Sequence, residues 1–157
     1  MMPLRRLLAA LMALIFSLSL PAACAEAPTE EVAAMRPVLE SLLNASLCLE
    51  RDYAAADPAF FWTALGELAL ETCRDDPLCE VADGELRVPR QKMRELATAA
   101  FAEYSDLLPL PAGEFFVRYD EAWDAYFVSL GSDCCADAEL ISGRVQPNDT
   151  VSVELEA

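Results

Sequence analysis

The sequence predicts an α+β domain, with three N-terminal helices packed on a C-terminal four-stranded antiparallel sheet. Three observations predict it. Apolar residues recur at steps of three and four as far as Tyr104, the run Leu108-Pro109-Leu110-Pro111-Ala112-Gly113 breaks that pattern, and beyond it the period falls to two. Helices laid on one face of a small sheet let both kinds of element bury an apolar side.

The first helix is expected over about 36–53. Pro37 suits the first turn, and Val38, Leu39, Leu42, Leu43 and Leu47 follow at helical spacing, with a loose turn from Thr29 ahead of them. The second is expected over about 58–74, because Asp57 caps it, Pro58 opens it, and Phe61, Leu65, Leu68 and Thr72 form a stripe. A short connection makes these two an antiparallel pair. Val88-Pro89 opens the third, over about 89–105, where Met93, Leu96, Ala97, Ala100, Phe101 and Tyr104 share a face opposite Arg90, Arg94, Thr98 and Glu103.

Two hairpins complete the domain. In the first, about 114–130, Phe115, Val117 and Tyr119 alternate with Phe116, Arg118 and Asp120, and Tyr126, Val128 and Leu130 lie on one side after the turn. The second, about 138–155, turns through Gln146-Pro147-Asn148-Asp149, after which Val151, Val153 and Leu155 point one way. This order of elements resembles cystatin-like and nuclear-transport-factor-like folds, whose curved sheets cradle helices. The resemblance rests on no sequence motif and carries no activity with it.

Residues 1–25 read as a secretory signal. Arg5 and Arg6 precede Leu7–Leu20, fourteen nearly unbroken apolar residues that would span roughly 21 Å as a helix, short of the roughly 30 Å hydrocarbon core. Two processing readings compete at LPAACAEAP. Ala23-Cys24-Ala25 fits small-x-small cleavage after Ala25; alternatively, Cys24 becomes a lipidated first residue, although Pro21 stands where a lipoprotein box has an aliphatic residue. Both readings export the protein, to the periplasm or the medium in the first case and to a lipid anchor on the envelope in the second. Residues 26–35 are then expected as a flexible segment and 36–157 as one domain.

The 157-residue chain carries 11 basic and 27 acidic residues, net −16; loss of residues 1–25 removes Arg5 and Arg6 and no acid, leaving 9 against 27, net −18. Such a field repels phosphate backbones and anionic membrane surfaces, so nucleic acid is excluded as a partner and membrane contact is confined to a lipid on Cys24. Solubility, cation attraction or a basic partner remain as its uses.

Six cysteines in an oxidising compartment are expected to pair. Cys73 and Cys79 flank Arg74-Asp75-Asp76-Pro77-Leu78, where the chain doubles back, and are expected to bridge as a local staple. Cys48 lies at the level of Thr63 on the second helix, not of Cys73, so Cys134 or Cys135 is its expected partner. The vicinal pair has two readings: one cysteine bridges inward while its neighbour stays free or pairs with another chain, or both act as a redox switch or as ligands for a soft metal. Asp133 and Asp137 raise nearby thiol pKa values, which opposes a reactive thiolate.

With no histidine in the chain, Ser-His-Asp and Cys-His catalysis and HExxH zinc sites are excluded. GxSxG, GxGxxG and the phosphate-binding loop are also missing, and no cofactor is implied. Carboxylate-only hydrolysis and hard-cation binding survive. The candidate cation-binding residues are Asp75, Asp76, Glu80, Asp83 and Glu85, with Asp120, Glu121 and Asp124 as a second acidic patch, but neither has calcium-loop spacing. Trp62 and Trp123 both read as core or rim packing rather than a sugar platform. The expected function is therefore that of an exported, acidic, non-catalytic protein binding a protein or small-molecule partner. The alternatives are a thiol redox or metal protein using Cys134 and Cys135, and a carboxylate-dependent hydrolase.

Overall fold

The computed structural model describes residues 28–101, 103–131, 139–146 and 151–156. In chain order the elements are α1 (Glu30–Ala34), α2 (Arg36–Cys48), α3 (Pro58–Thr72), β1 (Glu80–Ala82), β2 (Glu85–Pro89), α4 (Arg90–Ala100), β3 (Val117–Asp120), β4 (Ala125–Ser129), β5 (Glu139–Val145) and β6 (Val151–Glu156). The fold class is α+β, with helices and a four-stranded antiparallel sheet, as the hydrophobic periodicity implies. That sheet has the order β1-β2-β4-β3, while β5 and β6 form a separate two-stranded sheet.

The membership of the sheet differs from expectation. The stretch between the second and third helices, read as an acidic loop, is the hairpin β1–β2. Its turn is Asp83-Gly84, with φ of 53° and 80°, and two positive φ values at a two-residue turn match the right-handed twist of the flanking strands. A side chain at Gly84 would be strained by that φ. The later hairpins form as expected, β3 pairing with β4 and β5 with β6. The third helix lies between the two hairpins of the main sheet rather than before them.

Helix ends are set locally. The first of the expected helices stops at Cys48, not near Tyr53, because Glu50 adopts φ 48° and turns the chain out. Part of the segment expected as flexible, Glu30–Ala34, forms α1, capped by the Thr29 hydroxyl on the Val32 amide. At α3, Asp57 accepts from the Ala59 amide at 2.8 Å and Pro58 occupies the first turn, as its missing N–H allows. The fourth helix begins at Arg90, directly after Pro89 closes β2, and ends at Ala100, short of the expected 105, because Phe101 leaves the helical conformation with φ −133° and ψ 81°.

The long helix α3 is the centre of the molecule. Nine of its residues are buried, from Phe60 to Ala69, so it is covered on every side, by α2 on one flank and by α4 and the sheet on the other. Phe60, Phe61, Trp62 and Leu65 form one core with Leu86 and Val88 of β2, Met93 and Ala97 of α4, and Val117, Tyr126 and Val128 of β3 and β4. Trp62 is fully buried; its indole N–H donates to the Leu108 and Pro109 carbonyls, each at 3.1 Å. That bond fixes the proline-interrupted segment leading into β3. At Gly66 a Cβ would meet Phe116 ring carbons at 2.5 and 2.6 Å, so the missing side chain lets helix and sheet approach closely.

The β5–β6 hairpin docks on the first two helices. Thr29 donates its amide to the Gly143 carbonyl at 3.0 Å, and the Glu40 carboxylate accepts from the Leu140 amide at 2.7 Å. Buried Val32 packs at this junction. No helix among the described residues is long and apolar enough to cross a membrane.

Candidate functional site: the outer face of the sheet

Alternation in β2 sends Leu86 and Val88 into the core and leaves Glu85, Arg87 and Pro89 facing outward. Register then aligns a row across all four strands: Glu80 opposite Arg87, Arg87 opposite Phe127, and Phe127 opposite Arg118. Among the described residues no helix covers this face. Its side chains instead cover one another.

Arg118 lies over the Phe127 ring at 4.0 Å and donates from Nε to Glu85 at 3.0 Å, with a second bond to the same carboxylate from its terminal nitrogen. This two-pronged pairing raises the Arg118 pKa beyond the usual guanidinium value, with nearby Asp120 adding to it. Arg87 forms an ion pair with Glu80 and places its guanidinium 4.5 Å from the Trp123 ring centre. Trp123 stands in the four-residue β3–β4 turn and is 63% exposed. The turn is set by Asp120, which accepts from the Ala122 amide at 2.9 Å, and by Asp124 at φ 44°. On the opposite side of β3, the Tyr119 hydroxyl donates to Asp124 at 2.5 Å, and this bond raises its pKa.

Together these residues border a cleft of about 290 Å³ between Trp123, Phe127, Arg87 and Arg118, rimmed by Glu80 and Asp120. Chemically it offers an aromatic plate beside a stacked guanidinium, with carboxylates at the rim to accept hydrogen bonds. Glu80, Asp83, Glu85 and Asp120 outnumber Arg87 and Arg118 by two charges, so the cleft is anionic.

The acidic residues singled out in the sequence are dispersed over several tasks. Asp76 forms an ion pair with Lys92 at 2.6 Å and accepts from the Leu78 amide at 2.9 Å. Glu80 and Glu85 pair with Arg87 and Arg118, Asp83 forms the hairpin turn, and Asp75 is exposed. Among the described residues no group of three or more His, Cys, Asp or Glu side chains could hold a metal ion. Trp62 and Trp123, indistinguishable in sequence, separate into core and surface.

Hydrogen bonding to Lys92, then to the Leu78 amide, holds the Asp76 carboxyl below its ordinary value of 3.8. A carboxyl depressed in the folded state stabilises the protein above its unfolded pKa, and that stabilisation is lost as pH falls through the folded value. Asp76→Asn is therefore expected to lower Tm at pH 7 and to flatten the decline in Tm below pH 3.8, checked by thermal melts of both proteins across the acid range.

Cys73, at the end of α3, is fully buried and Cys79 is half-buried, and both are free thiols; the bridge expected between them is not formed in this structure. Cys48 is not among the free thiols, and its expected link to Cys134 or Cys135 ends outside the described residues. Cys24, Cys134 and Cys135 all lie outside them.

Further depressions flank the fold among the described residues, and two are lined largely by polar side chains. One, of about 360 Å³, runs between α2 and α3 past Ser41, Asn44, Glu67, Glu71 and Arg74. Burial, then Glu40, raises the Glu71 carboxyl pKa, against the pull of Arg36. Glu67 and Glu71 are one helical turn apart on α3 and form the same wall, whereas glycoside hydrolysis places its two carboxyls on either side of the scissile bond. The other, of about 430 Å³, follows the β5–β6 hairpin past Thr29, Ser142, Arg144 and Glu154.

Compared with protein-family models, characterised proteins and solved structures, the chain has no match.

Proposed function

We propose that this chain is an exported, acidic, non-catalytic binding protein that takes a cationic ligand or a basic segment of a partner on the outer face of its four-stranded sheet. The observation that carries this reading is Trp123, an exposed indole held in place by the Arg87 guanidinium above an anionic cleft. A ligand that covers an exposed tryptophan removes apolar surface from water, which favours binding, and ordering the ring beforehand lowers the entropy cost. The surplus of rim carboxylates selects for positive charge, and the net −16 of the chain draws such a partner in. Export is supported by the charged and apolar leader and by the cysteine content.

Titration of the purified protein with spermine and with a hexa-arginine peptide tests the binding reading. Saturable change in Trp123 fluorescence is expected, with Kd rising with salt. Trp123→Ala, which lacks that fluorescent reporter and is therefore followed by isothermal titration calorimetry, is expected to weaken binding by about tenfold or more, while stability changes by only about 0.5 kcal/mol. Equal calorimetric affinity of Trp123→Ala and the parent protein would remove the site. Intact mass of the protein recovered from its native cell tests export separately, since it reports the first residue and any acyl chain.

A further inference from the structure

The chain between α3 and β1 makes two successive turns. The Asp76 amide donates to the Cys73 carbonyl at 3.3 Å, and the Cys79 amide donates to the Asp76 carbonyl at 2.9 Å. These turns return Cys79 to the end of the helix, where its side chain hydrogen-bonds that of Cys73 and packs against the main core. The Asp76–Lys92 ion pair at 2.6 Å ties the same loop to α4. The two sulfurs differ in access. Cys73 is completely covered, and Cys79 is partly open to solvent.

We propose that Cys73 and Cys79 form a redox-modification site, oxidised by disulfide exchange to an intramolecular bridge that fixes the start of β1 to the end of α3. The accessible Cys79 thiolate attacks a sulfur of the oxidant's disulfide, forming a mixed disulfide and releasing one oxidant thiolate. Cys73 then attacks the Cys79 sulfur and expels the second. Two protein thiols become one disulfide, and the oxidant's disulfide takes up both electrons and both protons. The turns already hold the loop in its closed shape, so the reaction needs little backbone movement.

Surroundings set the rate. Burial first, then the adjacent Cys73 thiol and Asp76, pushes the Cys79 thiol up to about 12, against the pull of Lys92. Only its thiolate attacks, so exchange is slow at neutral pH and is expected to rise about tenfold per pH unit throughout the range from neutral to about pH 9, well below that value. The bridge is consequently a slow, durable modification rather than a rapid sensor.

Incubation of the reduced, folded full chain with oxidised glutathione tests this, read by peptide mapping without reduction. The expected product is a Cys73–Cys79 bridge, lighter by two hydrogens and without bound glutathione, with Tm raised by roughly 5–10 °C and restored by reductant. Cys79→Ser is expected to leave Cys73 unmodified in the folded protein, because the oxidant cannot reach it. Glutathione retained on Cys79, pairing of either residue with a different cysteine, or thiols that stay reduced at pH 9 would each overturn the proposal.

Discussion

Trp62→Ala is expected to lower the unfolding free energy by about 4 kcal/mol. Three losses combine. The indole is fully buried, its ring lies 4.8 Å from Tyr126 and 5.6 Å from Phe61, and its N–H holds the Leu108 and Pro109 carbonyls. Truncation therefore opens a cavity between α3 and β4 and releases the segment that leads into β3. Trp62→Phe separates the contributions: it keeps most of the packing and loses the hydrogen bonds, for about 1–2 kcal/mol. Urea unfolding followed by circular dichroism measures both. Comparable midpoints for Trp62→Ala and Trp123→Ala would contradict the assignment of one ring to the core and the other to the surface.

The second large effect is Gly66→Leu, expected to cost about 2–3 kcal/mol by overpacking. A Cβ there already lies 2.5 Å from a Phe116 ring carbon and 3.0 Å from a Val117 methyl, so a larger side chain must push α3 away from the sheet. Gly66→Ala provides the control. The Phe116 atoms nearest the added methyl belong to a side chain rather than to backbone and can shift at modest cost, and alanine favours helix over glycine by about 1 kcal/mol, so the two terms are expected nearly to cancel. A steep step between Ala and Leu is the expected result. A smooth increase of similar size for both would show that the approach of helix to sheet is not what glycine provides.

Much of this architecture is legible because its signals are local. Asp57-Pro58 specifies the start of α3 with a cap and a fixed φ, and the change of period after Gly113 announces the β3–β4 hairpin. The β1–β2 hairpin was also announced, by Asp83-Gly84 between short alternating stretches, but the surrounding acids draw attention to cation binding instead. The length of α2 is less legible. Charged and aromatic residues from Glu50 to Tyr53 are compatible with helix, and the stop comes from the backbone turn at Glu50.

The outer face of the sheet is the least legible part, because its contacts are distant in sequence. Glu85 meets Arg118 across 33 positions, and Arg87 meets Trp123 only after β2 and β4 have paired. No window of sequence contains both partners. The same limit explains the acids of the 75–85 stretch, which looked like one cluster and instead serve Lys92, Arg87 and Arg118 in separate places. Cys73 and Cys79 are the opposite case, since their proximity follows from the loop between them.

The sheet order β1-β2-β4-β3 has a kinetic consequence. Each of its hairpins closes over a short turn, whereas the seam joining them pairs Leu86 with Val128, roughly forty residues away, with α4 to be accommodated in between. Before that seam closes, Arg87 lies on one ribbon and Trp123 on the other, and the guanidinium cannot reach the indole. The outer face that carries Arg87 and Trp123 is therefore a product of the long-range seam, complete only once β2 and β4 have paired.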